Sequence, residues 1–182
     1  RHYQGLVKLP LHLLTPGLPH RHALLVRQRQ HPHDGVGQAI SIPHLAQIAA
    51  LSVVRMNQLV DGLTVPGSDA TPEERNVYVH AVSRFTGVKE EHAELCKREL
   101  RILWGDYFRP EHLQDYPDLH EKFFSAMKVA SKSRQNLDMD AAQQLLAATQ
   151  DIAEIFWKTK GANPVRQPSR QGVVGGELVY PS

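Results

Sequence analysis

The chain has 182 residues, of which 41% are hydrophobic and 22% charged, with a formal net charge of +2. These proportions are near the globular average and argue against wholesale disorder. No run of about 18 apolar residues could span a bilayer, and the prolines near the start argue against a secretory signal. We therefore expect a cytoplasmic protein with one modest domain or two small ones, without the size of a large enzyme.

Positive charge is concentrated in the first third of the chain. Residues 1–62 contain six Lys or Arg and two Asp or Glu, which leaves 15 basic and 17 acidic residues in the remainder. Basic charge therefore lies where a polyanion could bind. The single cysteine, Cys96, excludes an internal disulfide, and we expect it to pack as a small apolar residue.

The first predicted elements are short. Residues 1–19 form a poorly defined arm, and a helix is expected around 20–30 before the turn-forming run HPHDGVGQ. Ser41 can cap a helix that has Pro43 in its first turn and ends near Ala50. Ser52 can then cap a second helix, 53–61, which ends at Gly62.

The later elements are also predicted to be helices. Thr71-Pro72-Glu73-Glu74 is a capping-box start for a helix that ends at Gly87. Apolar spacing predicts further helices over 89–107, 117–134 and 138–160, the last capped by Asp138. No strand is predicted, and the Pro- and Gly-rich residues 161–182 are expected to be a disordered tail. The fold class is therefore all-α.

Residues 42–61 fit the twenty-position frame of a helix-turn-helix. With Ile42 as the first position, apolar or small residues occupy the sites where the two helices must approach, namely Leu45, Ala46, Leu51, Met56 and Leu59. Ala50 departs from the glycine that usually occupies the tight turn. The alternative is one amphipathic helix over 43–61.

The run LAQIAALSVVRMNQLVDG, with FTGV at 85–88, KRELRIL and AMKVASKSRQNLDMDAAQQLLAATQDI, resembles the Xre/Cro/λ-repressor-type regulators. Within them it is most similar to the actinobacterial EspR-like group. The resemblance implies a λ-repressor-like helix-turn-helix domain over 20–87 and a C-terminal helical dimerisation region over 88–160. It also implies a transcriptional regulator that binds double-stranded DNA at the bacterial nucleoid and is not an enzyme.

The resemblance assigns helix 53–61 to the major groove. Base contacts are expected from Val53, Val54, Asn57 and Gln58. Phosphate contacts are expected from Ser52 and Arg55. A homodimer would read a longer site, and its candidate interface residues are Leu145, Ile152, Phe156 and Trp157.

Two other functions compete with DNA binding. Arg75 and His80 match the spacing of the HEPN-type ribonucleases, and the acidic second half could be a helical protein-interaction module without DNA contact. The pairs His20/His22 and His31/His33 have no Cys or carboxylate cluster to complete a metal site. We therefore predict neither a metal nor another cofactor.

Overall fold

The computed structural model describes residues 43–182, which form a helical body followed by a two-stranded sheet. The N-terminal arm, the helix predicted near 20–30 and the two histidine pairs lie outside these residues. The helices are α1 (His44–Asp61), α2 (Pro72–Ile102), α3 (His112–Asp115), α4 (Leu119–Gln135) and α5 (Met139–Thr159). A π-helical turn, Leu103–Tyr107, extends α2. The strands are β1 (Pro164–Pro168) and β2 (Glu177–Pro181), with a 3₁₀ turn, Gly172–Val174, between them.

Helix α1 is continuous where two helices and a turn were predicted. The Ser52 hydroxyl donates to the carbonyl of Ile48 at 2.9 Å, so it bonds back within one helix and caps no second one. Ala46, Ala49 and Ala50 are buried, and these small side chains allow neighbouring helices to approach α1 closely. The helix-turn-helix prediction is therefore wrong, and the single-helix alternative over 43–61 is correct.

Helix α2 begins where the sequence predicts and continues beyond its predicted end. The Glu74 amide donates to Thr71 Oγ1 at 3.2 Å, and the Thr71 amide donates to Glu74 Oε2 at 2.8 Å, which confirms the capping box. The helix passes through Gly87, at a cost of roughly 1 kcal/mol relative to alanine. A buried stripe beyond that glycine keeps it helical, and its members are Lys89, Ala93, Cys96 and Leu100.

Four helices enclose the core. Contacts between α1 and α2, α2 and α4, α4 and α5, and α5 and α1 close a ring. Phe123 of α4 and Leu145, Ile152 and Phe156 of α5 are among the largest buried side chains in it. Asp138 caps α5 by accepting the Ala141 amide at 2.9 Å, as predicted. None of the described helices is long and apolar enough to cross a membrane.

The C-terminal segment, expected to be disordered, forms an antiparallel hairpin. Residue pairing runs from Pro164 opposite Pro181 to Pro168 opposite Glu177. Leu178 and Val179 of β2 are buried against the helices. The Gln47 side chain of α1 acts as a third strand would, because it accepts the Val179 amide at 2.7 Å and donates to the Val179 carbonyl at 3.2 Å. The fold is therefore mostly helical with one small sheet.

Candidate functional site

The side chains predicted to read DNA bases are turned inward. Val53, Val54 and Asn57 are only 0%, 6% and 2% exposed, and Asn57 Nδ2 donates to the Val53 carbonyl at 3.0 Å. Gln58 is half-buried, and its amide donates to the carbonyl of Val174, between the two strands, at 3.2 Å. A base edge could not reach the first three, and the fourth is bonded within the chain.

Ser52 and Arg55, the predicted phosphate contacts, lie half-buried on α1 beside the C-terminal segment. Arg55 Nη1 donates to Gln58 Oε1 at 3.2 Å. Both residues line a shallow pocket together with Gln171 and Val174. They therefore face the chain's own C-terminal segment and do not border an open groove for a duplex.

The four residues predicted to form a dimer interface fill the core of this chain. Leu145 and Ile152 are fully buried, and Phe156 and Trp157 are nearly so. Helix α5 is apolar over a wide arc because it packs against α1, α4 and both strands at once. The width of that arc reflects several neighbours within the chain, and these side chains are not available to a second copy.

Arg75 and His80, the predicted ribonuclease pair, do not act together within the chain. The Arg75 guanidinium donates to the carbonyls of Gly67, Ser68 and Ala70 at 2.8 to 3.2 Å and so fixes the loop before α2. His80 is exposed five residues later, about 140° away around the helix. The structure thus gives Arg75 a structural role and leaves His80 on another face.

Cys96 lies in the core, as the sequence predicts. It is 0% exposed, and its Sγ lies 3.6 Å from Thr149 Oγ1 of α5. The Thr149 hydroxyl already donates to the Leu145 carbonyl at 2.7 Å. Burial raises the pKa of the Cys96 thiol to about 12, so the thiol is protonated near neutral pH.

Three imidazoles of the described part hydrogen-bond to nearby groups. His92 Nδ1 lies 2.9 Å from the Val88 carbonyl of its own helix. Trp104 Nε1 donates to His120 Nδ1 at 2.8 Å, with the two rings edge to face. In the same way, His112 Nδ1 accepts the backbone amide of Arg109 at 3.1 Å. Each ring therefore serves a local contact, and the three contacts lie on different elements.

His44, at the start of α1, packs among aromatic side chains. Its ring centroid lies 6.0 Å from that of Trp157 and 5.0 Å from that of Tyr180. Burial lowers the pKa of His44, which favours the neutral imidazole. His44 Nδ1 and Trp157 Nε1 are buried without a hydrogen-bond partner. Across residues 43–182, no group of three or more His, Cys, Asp or Glu comes together to hold a metal ion.

The connection between α2 and α4 contains a sequence signal that the prediction of helices over 89–107 and 117–134 did not use. The run LWGDYFRPEHLQDYPD is rich in aromatic residues for a connecting segment. Tyr107 packs on Phe108 and Phe156 with centroid distances of 5.0 and 4.5 Å, and its hydroxyl lies 2.7 Å from Thr159 Oγ1. Such density of aromatic residues indicates a connection that closes one end of the core.

A family model and two curated relatives match this chain. The model of the nickel-containing superoxide dismutase family matches residues 38–160. Superoxide dismutase [Ni] of Streptomyces seoulensis is 40% identical over 84 residues, which are 46% of this chain and 64% of that protein. Its counterpart in Streptomyces coelicolor is 39% identical over 83 residues, with 46% and 63% covered. The chain thus spans less than two thirds of the length of either relative.

Solved structures of nickel superoxide dismutase have a similar fold. The native structure is 32% identical, with a TM-score of 0.57, and the match covers 67% of this chain and 94% of that one. The apo structure is 32% identical, with a TM-score of 0.58 and coverages of 68% and 100%. The hairpin over 164–181 lies beyond the residues that the family model matches.

These matches overturn the predicted Xre-type regulator and, with it, the double-stranded DNA partner and the nucleoid location that depended on it. The HEPN-type ribonuclease and the interaction module are not supported either. The prediction of a protein that is not an enzyme is also wrong, because the matching family is one of enzymes. The family model covers more than half of the chain, and the helical fold agrees with it. The chain therefore belongs to the nickel-containing superoxide dismutase family.

Proposed function

We propose that this chain acts in superoxide dismutation, with residues 43–182 forming its helical body and the nickel ligands lying outside them. The family match over residues 38–160 carries the proposal. The similar fold of the native enzyme, at 32% identity over 94% of its chain, supports it.

The described residues do not fit a nickel centre. Nickel is bound in proteins by imidazole, thiolate and other nitrogen or oxygen donors that converge on one point. The thiol of Cys96 is sealed in the core, and His92, His112 and His120 hydrogen-bond to separate local partners. No donor group of three converges within residues 43–182. We therefore assign these residues no direct part in metal chemistry.

Bound nickel would supply exchange of one electron at a time. In dismutation, two superoxide ions and two protons give one O₂ and one H₂O₂, so the electrons balance without another reductant. The residues of the body contribute a rigid frame. Lys89 joins α2 to the end of α4, and Gln47 joins α1 to β2. Such a frame can hold a metal-binding segment in a fixed position.

The test compares nickel with a metal of the same charge that has no redox chemistry. The full chain is loaded with Ni²⁺ or with Zn²⁺, dialysed, and mixed with superoxide in a stopped-flow spectrophotometer. We expect superoxide decay to accelerate in proportion to bound nickel, and the zinc-loaded protein to give the uncatalysed rate. Equal decay rates for the nickel- and zinc-loaded proteins would contradict the proposed function.

A further inference from the structure

We propose that His44 is an acid-sensitive latch for the C-terminal hairpin, and that protonation of its imidazole loosens β2 from the helical body. His44 lies in the first turn of α1, where its ring packs between an aromatic residue of α5 and one of β2. The ring centroid lies 6.0 Å from that of Trp157 and 5.0 Å from that of Tyr180. Three residues further, Gln47 binds both the amide and the carbonyl of Val179. The start of α1 is therefore the place where β2 is held.

The position of His44 suits a neutral imidazole and disfavours a charged one. Its Nδ1 is buried and has no hydrogen-bond partner among the described residues, so protonation there would add a buried donor without an acceptor. The ring also lies at the positive end of the α1 dipole, in a first turn without an acidic residue. Burial accordingly lowers the pKa of His44. A cation–π attraction to the neighbouring rings would act in the opposite direction, so the direction of the shift is itself a test.

No charged side chain of the packed elements compensates for the burial of His44. On the last two turns of α5 and on the two strands, the ionisable side chains are Glu154, Lys158, Arg166, Glu177 and Tyr180. Glu154 is paired with Arg166 at 2.6 Å. Desolvation is the only cause of the lowered His44 pKa, so none of these groups supplies the imidazolium with a counter-charge.

Release of β2 would uncover apolar surface on the body. Gly176, just before β2, packs so closely that a Cβ at this position would lie 3.0 Å from Leu51 Cδ1 and 3.6 Å from Leu146 Cδ2. Both leucines are buried in the closed arrangement. The hairpin lies beyond the residues that the family model matches, so the latch controls a segment outside the matched helical body.

The sign of the pH effect follows from proton linkage. With the hairpin open, His44 is hydrated and takes up a proton near the ordinary imidazole pKa of about 6.5, whereas the closed state does so only at lower pH. Opening therefore becomes more favourable as the pH falls below about 6.5. At pH 5.0 the ratio of open to closed hairpin can rise by at most about 30-fold, the limit for a closed state that stays neutral.

The experiment measures hydrogen exchange of the amides over 177–180 in the full chain at pH 7.5 and 5.0, with each rate divided by its intrinsic unfolded rate. His44→Phe keeps an aromatic ring that cannot take up a proton, and the control His80→Phe changes an exposed histidine of α2. On going to pH 5.0, we expect protection to fall by about 3- to 30-fold in the wild type and in the control. In His44→Phe it should fall by less than about 2-fold. Carboxylates ordinarily keep their charge in this range, so the ion pairs of Arg166 persist.

Protection that does not change with pH in the wild type, or that falls equally in the wild type and in His44→Phe, would overturn the proposal. A second measurement needs no substitution: the His44 ring of the wild type is titrated by NMR. A midpoint below about 6.5 supports the latch. A midpoint at or above that value overturns it, because the surrounding rings would then stabilise the charged form. Should His44→Phe lack protection at every pH, the wild-type titration decides.

Discussion

Lys89 gives the sharpest test of how the helical body is held together. Its side chain is 1% exposed, yet its ammonium meets no carboxylate; instead, Nζ donates to the carbonyls of Ser133, Arg134 and Asn136 at 2.8, 3.0 and 2.5 Å. These carbonyls lie at the C-terminal end of α4, where the helix dipole is negative and backbone acceptors lack helical partners. Burial lowers the pKa of Lys89, and the three acceptors together hold the charge in place.

The substitution Lys89→Met keeps the length and apolar stem of the side chain and removes all three donors. The carbonyl of Ser133, a buried residue, would lose its donor at a cost of about 1–3 kcal/mol, whereas water can replace Lys89 at the exposed Arg134 and Asn136. Relief of the ammonium desolvation offsets part of this cost, so we expect a net loss of about 1–2 kcal/mol. The melting temperature should fall by about 2–8 °C.

The control is Lys97→Met, on the same helix and facing the same neighbour. Lys97 Nζ makes one hydrogen bond, to Ser131 Oγ at 2.8 Å, in a half-exposed position. Its substitution should cost less than about 1 kcal/mol. Urea unfolding followed by the fluorescence of Trp104 and Trp157 measures both free energies. If the two variants agree within about 0.5 kcal/mol, the proposed role of Lys89 is refuted.

Three further predictions concern the hairpin and the core. Gln47→Leu should lower the free energy of unfolding by about 2 kcal/mol and increase proteolysis of residues 164–181, because the buried amide and carbonyl of Val179 lose their partners. The control Gln144→Leu, at an exposed position, should change neither quantity. Above pH 9, unfolded wild-type chains lose the Cys96 proton, whereas the native state retains it until about pH 12. The free energy of unfolding of the wild type, relative to that of Cys96→Ala, should therefore fall by about 1.4 kcal/mol per pH unit in this range. Parallel pH profiles of the two proteins would contradict this prediction. Arg166→Gln removes the ion pairs with Asp151 and Glu154 at 2.7 and 2.6 Å. Because these groups are partly exposed, the free energy of unfolding should fall by less than about 1 kcal/mol, and this difference should shrink in 1 M salt.

Local chemistry in the sequence determined where several helices begin and end. The capping box at Thr71, the Asp138 cap and the turn at Gly161, with its φ of 75°, are set by residues within a few positions of one another. Apolar spacing also predicted helix α5, although residues of its buried face were assigned to a dimer interface. These features are readable because the groups that satisfy each helix end are close in the chain.

The sequence could not distinguish one helix from two over 43–61, because the small and apolar residues that suit a helix-turn-helix, such as Ala46 and Leu51, suit close packing within a four-helix body equally well. The function inferred from that motif failed for the same reason: small and apolar residues at helical spacing specify a packed face, and say nothing of what packs on it. Tertiary structure showed that Val53, Val54 and Asn57 face inward.

Only the tertiary structure determined that the C-terminal segment forms a strand pair and that Lys89 is buried. Prolines and glycines over 161–182 lack the local signals of a strand pair, and β2 becomes stable through Gln47, 132 positions before Val179. Lys89 lies in the core because the end of α4, more than 40 residues away, supplies its acceptors. The sequence alone did determine that Cys96 is the one thiol of the chain; the fold determined that this thiol is beyond the reach of a metal, because four packed helices enclose it.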